Sequence, residues 1–329
     1  MSLRRIGAAC AALAVVVAAG AANAQGDYPN KPVRIVVDSA PGSATDVTLR
    51  VVAERLSRIW NQQVVALNHP GAGGSIAARV AAQSPNDGYT LSFAAASTFT
   101  ALAGAPGVPA NLPIQVPRDF LPIGFVSQQP MFLAASPKSG INSIADLIAA
   151  AKKSPGEISY ATTGVGRITH LTMELLQMRA GIKLQMIPYA GGPSQALADL
   201  IAGRVQIVLD GYGGVGPGIE SGQTKGIAVA TTKRLPEFPN LPTVAETLPG
   251  FFAGGWNVLV APVGTSDAII RKVSADLRVA LEDKGVQAKL AAIGTYTQPM
   301  TPEELTVFIN EQQKIWKPVA EAVANAQKK

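Results

Sequence analysis

Cysteine is almost absent from this 329-residue sequence, since Cys10 is the only one. That excludes a disulfide framework and cysteine-ligated metal clusters, so stability must come from buried apolar side chains. Histidine is scarce too, and the motifs of zinc proteases, P-loop proteins and serine hydrolases are missing. His170 and Glu174 have the i, i+4 spacing of two metal ligands, but no third is visible. We therefore predict no catalytic residue, no metal site and no cofactor.

Charge is also sparse, with 15% charged residues and a formal net charge of +6. The basic residues are scattered and do not alternate with aromatic ones, so we expect no nucleic-acid partner. No apolar run beyond the N-terminal segment reaches the length of about 18 residues that a membrane span needs. The 47% hydrophobic residues are enough for large cores, and the chain length favours two domains.

The first 24 residues have the pattern of a secretory signal peptide. Arg4 and Arg5 precede an apolar run over 6–20, and the segment ends Ala22-Asn23-Ala24, an A-x-A cleavage site. A signal anchor is the alternative, but the apolar run is shorter than the roughly 20 residues that cross a bilayer. We predict cleavage after Ala24 and a periplasmic product.

Short β-branched runs then alternate with helical periodicity. Strands over 33–37, 64–67 and 89–93 are separated by helices, the first of them starting at Asp46. This alternation predicts a parallel sheet covered by helices. A second α/β unit is predicted after the Pro-rich stretch 106–122, with strands over 123–126, 131–135, 158–162, 184–189, 205–209 and 226–230.

Only one further strand, over 256–261, and then helices follow the Pro-rich segment 235–249. Helices without strands of their own must pack on an existing sheet, and we expect the first. The predicted fold class is α/β with two lobes: residues 25–125 and 250–329 form the first lobe, and 126–249 the second. Crossings near 123–131 and 249–257 would form a hinge beside a ligand cleft.

Two strand–glycine loop–helix junctions carry the positive functional signal, one over 38–46 and one over 162–170. In each, glycines let backbone N–H groups approach a ligand, hydroxyls add donors, and the following helix directs its positive end at the loop. Each is by itself an ordinary βα loop, but one on each lobe predicts an anion clamp. The sequence Gly211-x-Gly213-x-x-Gly216 matches a dinucleotide fingerprint. Because Pro217-Gly218 follows it, we interpret it as a flexible loop.

Several segments in order along the chain resemble the Bug family, periplasmic substrate-binding proteins associated with tripartite tricarboxylate transporters. The matching segments are 28–37, Ala40-Pro41-Gly42 with Thr45-Asp46, 68–74, 87–91, 188–192, 241–246, and Trp256 with 261–265. The resemblance covers residues 28 to 320. It implies a type II periplasmic binding fold whose lobes close over a small organic carboxylate.

The resemblance also implies ligand-binding residues. Those of the first loop are Ser39, Ala40, Pro41, Gly42, Thr45 and Asp46. Those of the second loop are Thr162, Thr163, Gly164, Gly166, Thr169 and His170, while Tyr189 and Asp210 border the cleft. To these we add Arg167 as a candidate ligand-binding residue from its place in the second loop. The implied partners are a carboxylate ligand and a membrane permease or a sensor, and we expect a monomer.

Two charged residues, Asp38 and Arg167, depart from the family pattern. An aspartate facing the pocket would repel a carboxylate, so it should point away or be offset by a cation. Arg167 would then pair with Asp38 as a latch, grip a second ligand carboxylate, or lie with Asp38 on a solvated rim. The leading function is solute binding for uptake or sensing. The rivals are an α/β enzyme acting on a small carboxylated substrate in the same cleft and a ligand-sensing domain.

Overall fold

A computed structural model describes residues 28–100, 114–189 and 192–326 of the chain. The predicted signal peptide therefore lies outside the described residues. Three parallel strands begin the fold, and the β-branched residues of the central one, 33–37, are fully buried on both faces, as is typical of a sheet covered by helices. These elements are β1 (Val33–Val37), α1 (Ala44–Trp60), β2 (Val64–Asn68), α2 (Ser75–Ala82), β3 (Thr90–Ala95) and α3 (Ala96–Thr100).

Helix α1 shows why these segments fold as they do. The Ser43 hydroxyl accepts a hydrogen bond from the N–H of Asp46 at 3.3 Å, which caps the helix start, and Asn61 ends it with φ +48°. Leu49, Val52 and Leu56 recur at helical spacing and are at most 2% exposed. The first unit thus has the predicted order of strands and helices.

The long strand β4 (Phe120–Ala135) runs through both halves of the molecule. It replaces the two short strands expected over 123–126 and 131–135. Strand β9 (Gly254–Pro262) pairs antiparallel with it, from Phe120 opposite Pro262 to Pro130 opposite Gly254. The register between the two strands shifts twice, between Pro122 and Gly124 and between Phe125 and Ser127, as at β-bulges.

A second parallel group lies on the far end of β4. It contains α4 (Ile144–Lys153), β5 (Ser159–Thr162), α5 (Ile168–Ala180), β6 (Gln185–Pro188), α6 (Pro193–Ala202), β7 (Ile207–Gly211), α7 (Tyr212–Glu220) and β8 (Lys225–Val229). The strand order is β2-β1-β3-β9-β4-β7-β5-β6, with β8 also paired to β4. Two sheets therefore share β4, and each has buried cores on its faces.

The last helices are α8 (Asp267–Glu282), α9 (Lys284–Ala291) and α10 (Pro302–Ala326). A capping box begins α10, since Thr301 and Glu304 exchange hydrogen bonds of 2.8 and 3.2 Å. Helices α8 and α9 pack beside α1, as expected. Helix α10 differs: Leu305 and Ile309 join a core of the first sheet, whereas Trp316 and Val319 join one of the second. Its 25 residues are long enough to reach both.

The expected flexible loop at 211–216 is wrong, because α7 occupies Tyr212–Glu220 and holds Pro217 inside. Its glycines make room for neighbours. A Cβ at Gly214 would stand 2.8 Å from the Asp210 carboxyl carbon, and one at Gly216 would stand 2.9 Å from the Tyr212 ring. Packing therefore accounts for these two glycines. Among the described helices, none combines the length and apolar character of a membrane span.

Candidate functional site

The first loop, residues 38–43, leads from β1 into α1. Ala40, Pro41 and Gly42 are exposed at its tip, while Ser39 and Thr45 are 4% and 8% exposed. The N–H of Ser43 donates to the Ala40 carbonyl at 3.2 Å, and Gly42 has φ +78° in this turn. The turn therefore requires a residue that tolerates the left-handed region, as glycine does.

Asp46 holds this loop from behind. Its carboxylate accepts hydrogen bonds from the Gly42 N–H at 2.9 Å, the Arg50 guanidinium at 2.9 Å and the Asn68 amide at 2.8 Å. Burial alone would raise the pKa of Asp46, but these donors outweigh it and hold the pKa below its usual value. Because its oxygens are engaged, Asp46 positions the loop. The Asn68 amide also donates to the Ser39 carbonyl at 3.0 Å, a role that sequence reasoning missed.

Asp38 is buried beneath the first loop, and one of its oxygens, Oδ1, has no hydrogen-bond partner among the described residues. It is 2% exposed, and Oδ2 accepts from the Ala95 N–H at 3.0 Å and the Thr98 hydroxyl at 2.7 Å. It also lines a small cavity with Ser92, Thr98 and apolar residues. The rim interpretation is therefore wrong for Asp38. Within the described ranges no ion pair joins Asp38 to Arg167, so this conformation does not contain the proposed latch.

The second loop, residues 163–167, leads from β5 into α5 and is held by neutral groups. The Thr169 hydroxyl lies 2.8 Å from that of Thr162 and 3.0 Å from that of Thr163. Gly164 and Gly166 have φ +137° and +74°, so the loop depends on glycine at two positions. Arg167 is the N-cap residue, and its side chain makes no capping bond. First-turn N–H groups of α5 are thus left for another acceptor.

His170 supports the same loop. Its Nδ1 accepts a hydrogen bond from the Gly166 N–H at 3.1 Å, and its Nε2 lies 3.7 Å from Glu174. Burial lowers the pKa of His170, and the Glu174 charge opposes that shift only in part. The side chain is 4% exposed. Neutral imidazole therefore acts as an acceptor that fixes the loop backbone.

Asp210 is the penultimate residue of β7, which lies next to β5 in the sheet. It is half-buried, and Oδ1 accepts from the Gly211 N–H at 2.7 Å. Burial raises the pKa of Asp210 to about 6, against the opposing effects of this N–H and of the Arg167 charge. Tyr189 differs, because its hydroxyl donates to Asp199 at 2.7 Å and is already committed. Tyr189 thus serves packing and the support of α6.

A polar row, Ser127, Gln129 and Asn257, interrupts the apolar strands β4 and β9 and was not predicted as part of the site. Ser127 lies opposite Asn257, whose amide donates to the Ser127 hydroxyl at 3.1 Å, and Ala95 of β3 lies opposite Asn257 on its other side. The signal was present in the sequence, since Ser127-Gln128-Gln129 breaks an apolar run. Only the pairing of distant strands places it beside Asn257.

Comparison with known proteins gives one consistent result. Residues 48–324 match the model of the tripartite tricarboxylate transporter family receptor, TctC. The chain is 36% identical over 291 residues to the protein BugT of Bordetella pertussis, covering 88% of each. A structure of an R. palustris protein with adipate has 30% identity and a TM-score of 0.82, covering 91% of this chain and 99% of that one. MatC from Rhodopseudomonas palustris with bound malate has 25% identity and a TM-score of 0.76, covering 89% and 100%.

The similarity over about nine-tenths of the chain confirms the expected α/β binding-protein fold. It does not test the individual ligand residues or the lobe boundaries, which stay predictions. The structure places the predicted residues of the two loops each at the carboxyl end of a parallel strand and the start of a helix, whereas Tyr189 follows β6 and Asp210 lies in β7. In the part of the chain that is described, no hydrogen bond connects one loop to the other.

Proposed function

The chain belongs to the tripartite tricarboxylate transporter receptor family, and from that premise we propose that it captures a small organic carboxylate between its two loops. Family members are solute-binding proteins, so the enzyme alternative does not hold. The structures with adipate and malate support a carboxylate ligand. Because those two acids differ, the residues of this chain must determine which carboxylate it binds.

The observation that carries the proposal is the pair of loops at the starts of α1 and α5. Each loop ends where unpaired N–H groups and the positive end of a long helix are available to an anion. Asp46 and His170 each accept a hydrogen bond from a loop N–H group, that of Gly42 and that of Gly166. Both loops are therefore organised before any ligand arrives, which reduces the entropy cost of binding.

The proposal includes export, a membrane partner and closure of the two lobes. Cleavage after Ala24 would release the protein into the periplasm, and intact-mass analysis should show Gln25 at the N-terminus. The partner would be the membrane permease of a tripartite transporter, with sensing as the second use. The protein would be a monomer whose lobes, 25–125 with 250–329 and 126–249, close about the crossing strands; small-angle scattering with and without ligand tests both.

The central experiment is isothermal calorimetry against mono- and dicarboxylates with loop variants. Gly42→Val blocks the backbone approach of the first loop, and Thr163→Val removes a hydroxyl of the second. We expect each to weaken binding by about tenfold or more.

Gly140→Val is the matched control for Gly42→Val. Gly140 has φ +71°, is exposed like Gly42, and likewise has open space around a Cβ. Both variants strain the backbone equally, so only the affinity should separate them. Unchanged binding in Gly42→Val and Thr163→Val would refute the clamp.

A further inference from the structure

The polar row leaves buried groups without partners. Gln129 is 8% exposed and Asn257 1% exposed. Within the described residues, Nε2 of Gln129 and Oδ1 of Asn257 have no hydrogen-bond partner. A buried polar atom without a partner destabilises the fold, so two of them on one sheet face require an explanation.

The strand register locates the row relative to the two loops. Leu259, two residues from Asn257 on the same face, belongs to the core that holds α1. Met131, two residues from Gln129 on the same face, belongs to the core that holds α5. Those two helices start at the first and second loops. The row therefore lies on the sheet between the two helix starts.

A direct connection ties the row to the first loop. Ala95 pairs with Asn257 in the sheet, and the N–H of Ala95 donates to Asp38 of the first loop at 3.0 Å. Opposite Gln129 stands Gly255, where a Cβ would lie 2.9 Å from the Met131 methyl group and 3.4 Å from Gln129 Oε1. Because Gly255 has no side chain, the Gln129 side chain has room on this face of the sheet.

We infer that the polar row is the floor of the ligand cleft and recognises a hydroxyl group of the captured carboxylate; the inference rests on the proposed function. The free atoms are one donor, Nε2 of Gln129, and one acceptor, Oδ1 of Asn257. A hydroxyl both donates and accepts, so it satisfies the two together. An ammonium group only donates and a carboxylate only accepts, so each leaves one of them unsatisfied.

The floor differs from the loops in chemistry and in rigidity. It carries no net charge, so it contributes short-range hydrogen bonds only. Its residues sit on paired strands, and a site on regular strands is more precise than one on loops. The loops would thus hold the carboxylate that all ligands share, while the floor selects among acids. A site that hydrogen-bonds a hydroxyl discriminates strongly against the analogue that lacks it.

The test compares matched acids by calorimetry: lactate with propionate, malate with succinate, and 2-hydroxyglutarate with glutarate. Alanine and aspartate serve as the ammonium counterparts. We expect the best hydroxy acid to bind about tenfold or more tightly than its deoxy partner. Gln129→Met, which keeps the length and removes the amide, should abolish that preference. Asn257→Leu provides a second variant of the same kind.

Gln128→Met is the matched control, because Gln128 is adjacent in β4 but lies opposite Trp256, on the other face. It should keep the hydroxyl preference, and circular dichroism checks folding in every variant. Equal binding of hydroxy and deoxy acids, a preference that survives Gln129→Met and Asn257→Leu, or tighter binding of an amino acid would overturn the inference and leave the proposed function intact. Binding of no carboxylate by the folded wild type would overturn both.

Discussion

The two ligand loops have the same architecture but are held by different chemistry. Both join the carboxyl end of a parallel strand to the start of a helix, and each has an N–H group fixed by a side chain four residues further on. In the first loop that side chain is the ionised Asp46, which also binds Arg50 and Asn68. In the second loop it is the neutral His170, beside a cluster of threonine hydroxyls.

The difference shows that the shape of an anion-binding loop does not dictate how it is supported. A carboxylate such as that of Asp46 accepts stronger hydrogen bonds than a neutral group does. When it is removed, however, each of its donors is left without an acceptor. A neutral support costs less to break and places no negative charge behind the ligand. The two loops should therefore respond differently to mutation and to pH.

The largest effect is expected for Asp46→Ala. The change leaves Gly42, Arg50 and Asn68 without their hydrogen-bond acceptor. It should lower the free energy of unfolding by about 2 kcal/mol. The loss is not larger because the exposed Arg50 guanidinium can hydrogen-bond to water instead. Urea denaturation measures it. Asp146→Ala is the control, since Asp146 accepts the Asn142 N–H in the same way but is exposed. Equal losses in both variants would contradict the buried network.

Thr169→Val should cost about 1 kcal/mol, because it removes the hydroxyl shared by Thr162 and Thr163. Thr172→Val, one turn further along α5, is the control. Its hydroxyl is fully buried and has no partner in the described part of the chain, so its removal should be neutral or stabilising. A loss in Thr172→Val as large as that in Thr169→Val would rule out the hydroxyl cluster as the support of the loop.

A smaller effect is expected from the pH dependence of the second loop. Because burial lowers the pKa of His170 in the folded protein, the unfolded chain binds more protons below about pH 6.5. The His170 contribution to stability is therefore complete above that pH and is lost as the pH falls. His170→Asn keeps an acceptor for Gly166 and does not titrate. Its urea midpoint should change less between pH 7.5 and 5 than that of the wild type; identical profiles would disprove the neutral support.

The smallest effect concerns Asp210 and the ligand. With a pKa of about 6, Asp210 is ionised at pH 7.5 and protonated at pH 5, so wild-type affinity for a carboxylate should rise as the pH falls. Asp210→Asn should bind about threefold more tightly than the wild type at pH 7.5 and equally at pH 5. Calorimetry at pH 7.5 and pH 5 measures these affinities, and Asp146→Asn, at an exposed position, is the control. A constant ratio would place Asp210 outside the cleft.

Much of the fold is written locally in the sequence. The strand over Val33–Val37 matches its predicted bounds, because periodicity and β-branching act within a few residues. The two loops are equally local, since each is a glycine turn between a strand and a helix. The lack of cysteine and the family resemblance complete what the sequence determined: an α/β binding protein with two candidate ligand loops.

Tertiary structure decided what depends on distant partners. Helix α7 forms although Pro217 locally favours a break, and it packs closely on α6, where a Cβ at Gly218 would stand 2.7 Å from the Leu197 side chain. Asp38 is buried because its carboxylate accepts hydrogen bonds from the Ala95 N–H and the Thr98 hydroxyl, about 60 residues away in the sequence. The polar row exists only because β4 pairs with β9, which joins Ser127 to Asn257 across 130 positions. No local pattern encodes such a pairing, since its free energy comes from burial shared by both segments.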